Sequence, residues 1–456
     1  MDNLDVVVAG GGNAALCAAI SAREKGASVT VFEAAPRLMR GGNTRHTRNL
    51  RASHDIPIES LDGSYDKTDF FEDIIKVTKG NTDEALTKLM IRQSASLVSW
   101  LKSRGVHYQP ALSGTLSLNR TNAFFLGGGK TLLNKLYAHA EKIGVQIVYD
   151  AEVVSATISN NRVHSIDVDF GKDRRTVETR HLIAASGGFQ SNEEWMREAW
   201  GEKADQFLIR GTPYNKGKLL RTLMEGGAQT VGDPTQCHAV AIDARAPKYD
   251  GGIVSRLDSI SFGIVVNQAG QRFYDEGEDF WPKRYAIWGR LVAQQSGQIA
   301  YSIVDNKVKD RFMPSAFPPI EAFSLKDMAS QLVIDASVLI DTVERFNQSV
   351  QPGQYDSTIL DGSHTKGLSP DKTNWALTVD EPPFLAYPLR PGITFTYLGV
   401  KINERAQVLN QNDTPFENLT AAGEIMAGNI LGEGYCAGTG MTIGGVFGRI
   451  AGENAL

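Results

Sequence analysis

A glycine-rich turn near the start of the chain has the residue types and spacing of a dinucleotide-binding site. Gly10, Gly12 and Ala15 form a Gly-x-Gly-x-x-Ala pattern, and Glu33 follows the first glycine at about the 20-residue spacing of a ribose-binding acid. Gly10 permits the tight turn, Gly12 lets the backbone approach a diphosphate, and Ala15 permits close packing of the helix. These residues predict binding of NAD or FAD, and the motif alone leaves both open.

The turn opens a helix whose first residues are further candidates for binding. Asn13 and Ala14 lie where free backbone N–H groups and the positive end of the helix dipole favour phosphate. Ala34, directly after the acid, is another candidate contact. The sequence contains no second strand–Gly-x-Gly-x-x-Gly–helix unit, so a separate NAD(P)H site of the glutathione-reductase kind is not supported.

The elements around this turn predict a βαβ unit. Residues 4–9 are an apolar run typical of a buried parallel strand, residues 14–25 have helical periodicity, and residues 27–33 form a second strand. Further patterns predict helices over residues 69–79, 81–104 and 131–143, and strands over residues 145–149, 152–169, 176–185 and 419–424 and near Gln407.

Composition divides the chain into three segments. From about residue 235 to 395, proline and aromatic residues become more frequent and the alternation is less regular, which indicates an inserted domain. We therefore predict an α/β fold in which a Rossmann-like dinucleotide-binding domain spans residues 1–234 and 395–456. An α+β domain is expected over residues 235–394.

Charge and cysteine content exclude several classes of protein. A net charge of −5 over 456 residues leaves no basic footprint, so we expect no nucleic-acid partner. Cys17, Cys237 and Cys436 form no CxxC or CxxCH pair, so we expect no metal, cluster or haem site. No apolar run reaches the roughly 20 residues that span a bilayer, and the chain enters a strand directly after its start. We therefore expect a cytoplasmic protein without a membrane span.

Four short segments, in order along the chain, resemble the motifs of one flavoprotein superfamily. They are Gly41-Gly42-Asn43-Thr44, Ala185-Ser186-Gly187-Gly188-Phe189, Gln271-Arg272-Phe273-Tyr274-Asp275-Glu276 and Ala421-Ala422-Gly423-Glu424. The chain thereby resembles the fumarate reductase/succinate dehydrogenase flavoproteins. Residues 40–51, 395–399 and 438–444 are most similar to FAD-dependent tricarballylate dehydrogenases, and similar also to the flavin half of a cobalamin-pathway protein.

The resemblance implies non-covalent FAD in a domain interrupted by a mobile capping domain, with the substrate at their junction. A helix starting near Gly440 would direct its positive end at the flavin N1–C2=O region, which favours anionic reduced flavin. His46 is comparable with the histidine that binds flavin covalently in succinate dehydrogenases, but its register differs. The further FAD contacts that the resemblance implies are Gly42, Asn43, Thr44, Val153, Gly187, Glu424, Gly440, Met441 and Thr442.

The resemblance also places catalytic residues. Oxidation of a CH–CH bond beside a carboxylate needs a hydride acceptor, a base for the neighbouring proton, and cations that stabilise the developing charge. The superfamily's proton-shuttling arginine falls on Arg284, and its carboxylate-binding histidine falls on His238. The alternatives are a solvated arginine on a helix face and a hydrogen-bonded core histidine.

Several positions depart from the superfamily. Its Thr-Glu pair falls on Ser255 and Arg256, its second carboxylate-binding histidine on Phe395, and its late arginine near Tyr435. Two residues that bind dicarboxylates are therefore missing, which argues against plain fumarate or succinate as the substrate. The superfamily's arginine proton relay normally includes the acid that Arg256 replaces, so this replacement also argues against that relay.

Other cations could compensate for the missing residues. Several cations near one flavin would suit a substrate with more than two carboxylates, because bidentate Arg–carboxylate contacts are strong and directional. The alternative is a basic surface run that pairs with local acids. Tyr397, like Tyr435, could donate a hydrogen bond or serve only in packing. The candidate cations are Arg45, His46, Arg48, Arg51, Arg120 and Arg390.

The leading hypothesis is an FAD-dependent dehydrogenase of a small anionic polycarboxylate, of the tricarballylate-to-cis-aconitate type. The resemblance implies transfer of electrons to a separate acceptor protein or quinone-linked carrier associated with a membrane. One alternative is a reductase of an unsaturated acid, or a dehydrogenase of another acid or ring ketone. Another is a flavin-carrying subunit of a biosynthetic complex that is catalytically silent alone.

Overall fold

The first sheet of the protein is built on the βαβ unit that the opening motif predicts. In the computed structural model, which describes residues 4–111, 118–251 and 255–455, strand β1 (Leu4–Ala9) pairs in parallel with β2 (Val29–Phe32) through helix α1 (Asn13–Glu24). Val6 to Ala9 are fully buried, as expected for a parallel strand covered on both faces. The remaining strands are β3 (Asn49–Arg51), β4 (Asn122–Phe124), β5 (Gln146–Val148), β6 (Glu152–Ser159), β7 (Arg162–Asp169), β8 (Arg174–Ala184), β9 (Leu208–Arg210), β10 (Thr230–Val231), β11 (Cys237–Asp243), β12 (Tyr249–Asp250), β13 (Ile264–Asn267), β14 (Ala300–Val304), β15 (Ile320–Ala322), β16 (Phe384–Thr396), β17 (Gly399–Val400), β18 (Gln407–Leu409) and β19 (Pro415–Ala421).

Helices cover both sheets, and short 3₁₀ turns lie at several loop positions, among them Gly42–His46 and Gly423–Asn429. The further α-helices are α2 (Lys67–Thr78), α3 (Glu84–Lys102), α4 (Gly128–Lys142), α5 (Glu193–Trp200), α6 (Lys218–Glu225), α7 (Trp281–Arg284), α8 (Trp288–Ala293), α9 (Leu325–Leu332), α10 (Ala336–Ser349) and α11 (Thr439–Glu453).

The first sheet has eight strands in the order β18-β19-β8-β1-β2-β5, with the β6–β7 hairpin joined to β8. The edge strand β18 is antiparallel to β19, whereas strands β19, β8, β1, β2 and β5 run parallel to one another. Their carboxyl ends therefore lie at one edge of the sheet, where ligands of open α/β folds bind. The α/β class and Rossmann-like core that the sequence predicts are confirmed.

A second sheet of seven strands has the order β12-β9-β16-β14-β13, with β11 and β15 also paired to β16. Strand β16 is 13 residues long and crosses residue 394, the boundary predicted for the inserted domain. Strand β9 belongs to this sheet although it precedes residue 235. The division at residues 234 and 394 remains a prediction, and the pairing of β9 favours an earlier start for the second domain.

The helices predicted over residues 69–79 and 81–104 begin a few residues from their predicted first residues, because aspartates cap their N-termini. Asp66 accepts backbone hydrogen bonds from Thr68 and Asp69, so α2 starts at Lys67. Asp83 accepts from Leu86, so α3 starts at Glu84. An N-cap carboxylate satisfies helix N–H groups that lack an intrahelical partner, which sets the first turn.

Helix α11 packs closely against α1, and glycines make this approach possible. A Cβ added to Gly448 would come within 2.5 Å of Ala14 O, and one added to Gly452 within 2.2 Å of Ala18 O. Because these neighbours are backbone atoms, only glycine fits at this spacing. The contact brings the N-termini of α1 and α11 together at the same edge of the first sheet, where Asn13 Nδ2 donates to Met441 O at 3.1 Å.

Within the described ranges, no helix combines the length and the apolar character that crossing a bilayer requires.

Candidate active site

The site is a long cavity that runs from the carboxyl edge of the first sheet to the second sheet. Its empty space, counted out to the open mouth, is about 1660 Å³. Its lining includes residues of the first sheet and its loops as well as residues of the second sheet. The predicted residues that line it are Gly10, Gly12, Asn13, Ala14, Glu33, Ala34, Gly42, Asn43, Thr44, His46, Arg48, Val153, Gly187, His238, Arg256, Glu424, Tyr435, Gly440 and Met441.

One end of the cavity has the features of a diphosphate and ribose site. The N-terminus of α1 faces it, and Asn13 N donates to Thr44 Oγ1 at 3.0 Å, which joins the opening turn to the Gly-Gly-Asn loop. Glu33 lies directly after β2, and its carboxylate accepts from Ala35 N at 2.8 Å. Burial raises the pKa of Glu33 although these backbone hydrogen bonds oppose the shift.

The other end is formed around the N-terminus of α11. Gly440 N donates to the hydroxyl oxygen of Tyr435 at 3.0 Å, and both residues line the cavity. The start of this 15-residue helix therefore presents the positive end of its dipole to the cavity. The N-termini of α1 and α11 consequently face the same cavity. This arrangement suits a dinucleotide, with its diphosphate at α1 and its reducible ring near α11.

Asn43 and Glu424 connect the first sheet to the second at the middle of the cavity. The Asn43 amide donates to Thr394 O and accepts from Thr212 N. Glu424 accepts from Thr396 N at 2.9 Å and from Asn215 Nδ2 at 3.2 Å. Burial raises the pKa of Glu424 to about 7. Asn43 and Glu424 thus line the cavity and also bind strand β16 of the second sheet through hydrogen bonds.

The residues present fit an FAD molecule. Ser186 Oγ lines the cavity, is buried, and has no hydrogen-bond partner among the described residues, as expected for a group that binds a polar ligand. Added Cβ atoms at Gly10 and Gly187 would overlap neighbouring atoms at 2.3 and 2.9 Å, so the backbone forms the cavity wall there. Glycine at these positions lets a ligand approach the main chain.

Three arginines line the cavity beside the α11 end. Arg48 precedes β3, Arg210 ends β9, and Arg256 follows β12. Burial, together with Arg256 and Arg210, lowers the pKa of Arg48 to about 10. Within the described residues, the Arg48 guanidinium makes no hydrogen bond or ion pair. Arg210 Nη1 donates to Thr394 Oγ1 at 3.1 Å.

Arg256 is held in place by a buried acid. Its Nε and Nη2 donate to the two carboxylate oxygens of Asp258 at 2.8 and 2.7 Å, a bidentate arrangement. Trp281 Nε1 also donates to Asp258, at 2.6 Å. One acid therefore balances one arginine and orients Trp281 in the cavity wall. Arg256 stands at the position where the superfamily has an acid. A carboxylate is nevertheless present beside Arg256, because Asp258, two residues later, binds its guanidinium.

His238 lies between aromatic rings next to the arginines. Its ring stacks on that of Tyr435 with centroids 3.9 Å apart, and meets Tyr285 edge-on at 5.5 Å. Burial, with Arg210 and Arg256, holds the pKa of His238 well below its usual value, so the imidazole is neutral at pH 7. His238 Nε2 is buried without a hydrogen-bond partner in the described part of the chain.

The structure does not bring Arg284 or Ser255 to the cavity. Arg284 Nη2 forms an ion pair with Glu278 Oε1 at 2.9 Å, and neither residue lines the cavity. Ser255 is buried and its hydroxyl donates to Asp250. The proton-shuttle role that the resemblance implies for Arg284 therefore lacks the geometry it needs in this conformation.

Four predicted substrate residues also lie elsewhere. Arg120 is exposed and pairs with Asp69. Arg390 donates to Gln206. Arg45 donates to Leu38 O, and the Tyr397 hydroxyl donates to Gly434 O inside the core.

Ala15 and Thr442, two predicted cofactor contacts, are buried and do not line the cavity. Ala15 lies in the packed face of α1, where its small side chain suits the close helix packing that the sequence predicts. Thr442 Oγ1 donates to Arg51 O and so fixes β3 to α11. Arg51 itself is buried and forms an ion pair with Asp73, so it is a structural residue.

Sequence analysis did not identify Arg210, Trp281 or Tyr285. The sequence signal available for Arg210 was its place at the end of a short run that starts with two apolar residues, Leu208 and Ile209. Trp281 begins the short helix α7 and Tyr285 directly follows its last residue, Arg284. Motif spacing does not indicate which of these three residues reaches the cavity. In the described ranges, no three His, Cys, Asp or Glu side chains are grouped so that they could hold a metal ion.

The fold and the cavity together define a dinucleotide-binding oxidoreductase. A family model described as FAD binding domain matches residues 5–442, and the chain belongs to that family. It is therefore an FAD-dependent oxidoreductase of the superfamily that includes the fumarate reductase flavoproteins.

Two curated relatives cover the chain. The NADH:fumarate oxidoreductase of Klebsiella pneumoniae is 27% identical over 462 residues, which are 99% of this chain and 47% of the relative. The chain thus spans about half the length of that protein. The fumarate reductase (cytochrome) of Shewanella frigidimarina is 27% identical over 484 residues, covering 100% of this chain and 77% of the relative.

Two solved structures share the fold. The open conformation of a flavocytochrome c3 fumarate reductase has a TM-score of 0.75 at 23% identity, and covers 100% of this chain and 78% of that one. The 3-ketosteroid-Δ4-(5α)-dehydrogenase of Rhodococcus jostii has a TM-score of 0.75 at 21% identity, covering 100% and 97%.

Proposed function

We propose that the protein interconverts a CH–CH bond and a C=C bond in a small polycarboxylic acid at bound FAD. The observation that carries this proposal is the cluster of Arg48, Arg210 and Arg256 in the cavity that also contains the FAD-binding residues. Guanidinium groups bind carboxylates in a bidentate and directional way. Arg256 already shares its charge with Asp258, so the cluster suits an acid with two or three carboxylates.

The residues around the cluster have distinct roles in this proposal. When bound, FAD supplies two-electron hydride chemistry. Arg48 and Arg210 bind the substrate carboxylates and stabilise negative charge that develops beside them in the transition state. Tyr435, oriented by Gly440 N, and the neutral His238 border the same space and orient the acid through hydrogen bonds.

The relatives favour the direction of reduction. Those named above include an NADH:fumarate oxidoreductase and a fumarate reductase, and others are an NADH:acrylate oxidoreductase of Vibrio harveyi and a urocanate reductase of Eggerthella lenta. We propose an unsaturated polycarboxylate as the oxidant for this chain, with the aconitate–tricarballylate pair as the candidate to test first. The sequence has no haem-attachment or cluster motif, so a separate carrier exchanges electrons with the FAD.

Flavin absorbance under anaerobic conditions tests the proposal. Photoreduced protein is mixed with cis-aconitate, fumarate or a steroid enone, and oxidised protein with tricarballylate or succinate. Rapid reoxidation by an unsaturated polycarboxylate, or bleaching by its saturated partner, supports the proposal. Reaction with the enone alone would indicate a ring-ketone enzyme. Absence of any reaction across the panel would indicate a flavin subunit that is silent alone.

A further inference from the structure

We propose that Tyr285 is the residue that exchanges a proton with the substrate carbon, a role that rests on the proposed function. The resemblance to the superfamily places this role one position earlier, on Arg284. The structure separates the two residues, because Tyr285 lines the cavity and Arg284 does not.

The position of Tyr285 is set by the short helix α7 and its aromatic neighbours. Tyr285 N donates to Trp281 O at 2.8 Å, which closes the helix turn. Its ring meets His238 edge-on at 5.5 Å, and Arg256 Cζ lies 5.1 Å from its centroid. The ring is therefore held on two sides, and its hydroxyl forms no hydrogen bond with any described residue. Such a group on a cavity wall can reach a bound ligand.

Arg284 lacks these features. Its Nη2 is bound to Glu278 at 2.9 Å, its Nε is buried without a hydrogen-bond partner among the described residues, and neither Arg284 nor Glu278 lines the cavity. Adjacent residues on a helix differ in direction by about 100°, because a turn contains 3.6 residues. Tyr285, the C-cap residue directly after Arg284, is consequently the one of the two that lines the cavity.

Charged groups surround Tyr285 from several elements. Burial raises the pKa of its phenol, and Arg210, Arg256 and Arg48 oppose that rise. Cations stabilise the phenolate that remains after proton transfer, so the arginines lower the cost of the step. The titratable and charged groups that face Tyr285 are Arg48 before β3, Arg210 of β9, His238 of β11, Arg256 with its partner Asp258, Arg51 of β3, and Tyr435 before α11.

The step balances in both directions. In reduction, the O–H bond of Tyr285 breaks and its proton bonds to the carbon beside the carboxylate, while the other alkene carbon gains a hydride. The C=C bond gains two electrons with this hydride, which reduced flavin would supply when bound. The phenolate then takes a proton from solvent through the cavity mouth. In dehydrogenation the phenolate removes the same proton, and the neighbouring carbon loses a hydride, for which oxidised flavin would be the acceptor when bound.

Tyr285→Phe tests the role because it removes only the hydroxyl. We expect kcat to fall by about 10²–10⁴-fold, the usual contribution of general acid–base catalysis, with KM within about 3-fold and FAD content unchanged. In wild-type dehydrogenation kcat should rise about tenfold per pH unit below the tyrosine pKa, because the phenolate fraction does, and the variant should lose that slope. Tyr285→His, which restores a titrating group, should recover part of the rate with a shifted pH profile.

Tyr274→Phe is the matched control. The Tyr274 hydroxyl donates to Glu278 at 2.6 Å outside the cavity, so its removal should leave kcat and the pH slope unchanged. A near-normal kcat in Tyr285→Phe, or a large loss in Arg284→Lys alone, would overturn the role of Tyr285 while the proposed function stands. If the wild type reacts with no polycarboxylate, the proposed function is wrong, and this role for Tyr285 with it.

Discussion

Arg48 differs from the other arginines of the cavity in having no side-chain partner among the described residues. Arg256 is bound to Asp258, and Arg210 donates to Thr394. A guanidinium that is largely buried beside two other cations is costly, and its lowered pKa of about 10 reflects that cost. Such an arrangement is stable when an anion is bound, so Arg48 is the most direct evidence for an acidic substrate.

We expect Arg48→Gln to weaken binding of the acid that reacts with the flavin by about 10- to 100-fold. A hydrogen bond to a charged group contributes about 1.5–3 kcal/mol, and each 1.4 kcal/mol is tenfold in affinity. KM measures the binding of the acid, and flavin absorbance measures the FAD content, which should be unchanged. Arg175→Gln, which removes an exposed arginine paired with Asp173, is the control and should change neither. An unchanged KM in Arg48→Gln would exclude Arg48 from the binding site.

Secondary-structure elements explain which parts of the site could be predicted from sequence. The β1–turn–α1 segment and Glu33 were predictable because their geometry depends on local backbone requirements at Gly10 and Gly12. Arg210 was not, because β9 reaches the cavity only by pairing with the distant β16 and β12. The choice between Arg284 and Tyr285 depends on the rotation of a four-residue helix, which motif spacing does not determine.

Strand β8 contains a histidine whose ionisation is coupled to folding. His181 is buried in the first sheet, and its Nε2 lies 3.1 Å from Thr420 Oγ1 of β19. Burial, with a smaller effect of Arg162, lowers the pKa of His181 to about 4. The unfolded chain binds this proton more tightly than the folded chain does. The stability that the neutral His181 preserves is therefore complete above pH 6.5 and is lost as the pH falls towards 4.

We expect His181→Gln to flatten the decline of the free energy of unfolding between pH 6.5 and 4. The shift from 6.5 to about 4 corresponds to a loss of about 3 kcal/mol in the wild type, of which about 1.4 kcal/mol appears by pH 5.5. Urea denaturation at several pH values, with FAD in constant excess, measures the slope. His164→Gln changes an exposed histidine and should keep the wild-type slope. Equal slopes in wild type and His181→Gln would show that the pKa of His181 is the same in the folded and the unfolded chain.

At the scale of the whole molecule, the cavity exists only because two sheets meet. The FAD-binding residues belong to the first sheet and its loops, whereas Arg210, His238 and Tyr285 belong to the second sheet or to α7 beside it. Asn43 and Glu424 join the two at the centre. We call the second sheet together with the helices beside it, α7 included, the second body. The resemblance predicts that the second body is mobile, and such motion would change the distance between substrate and flavin.

An ion pair at the edge of this junction provides a test of that motion. Lys283 Nζ of α7 lies 2.8 Å from Asp73 Oδ1 of α2, and Asp73 also binds Arg51 and the Tyr65 hydroxyl. Both members of the Lys283–Asp73 pair are largely buried, so their interaction exceeds that of an exposed pair. Lys283→Met removes the link to the second body, while Asp73 keeps its two other partners.

We expect Lys283→Met to raise hydrogen exchange in α7 and α8 by about 5- to 30-fold, the effect of losing 1–2 kcal/mol, while exchange in α1 stays unchanged. Mass spectrometry of peptides from these helices measures both. Lys307→Met is the matched control, because Lys307 also pairs with acids, Asp305 and Asp380, but both of these belong to the second body. If both variants raise exchange in α7 equally, the Lys283–Asp73 pair does not hold the junction closed. Other contacts must then do so, among them those of Asn43 and Glu424 and the Lys76–Asp279 ion pair.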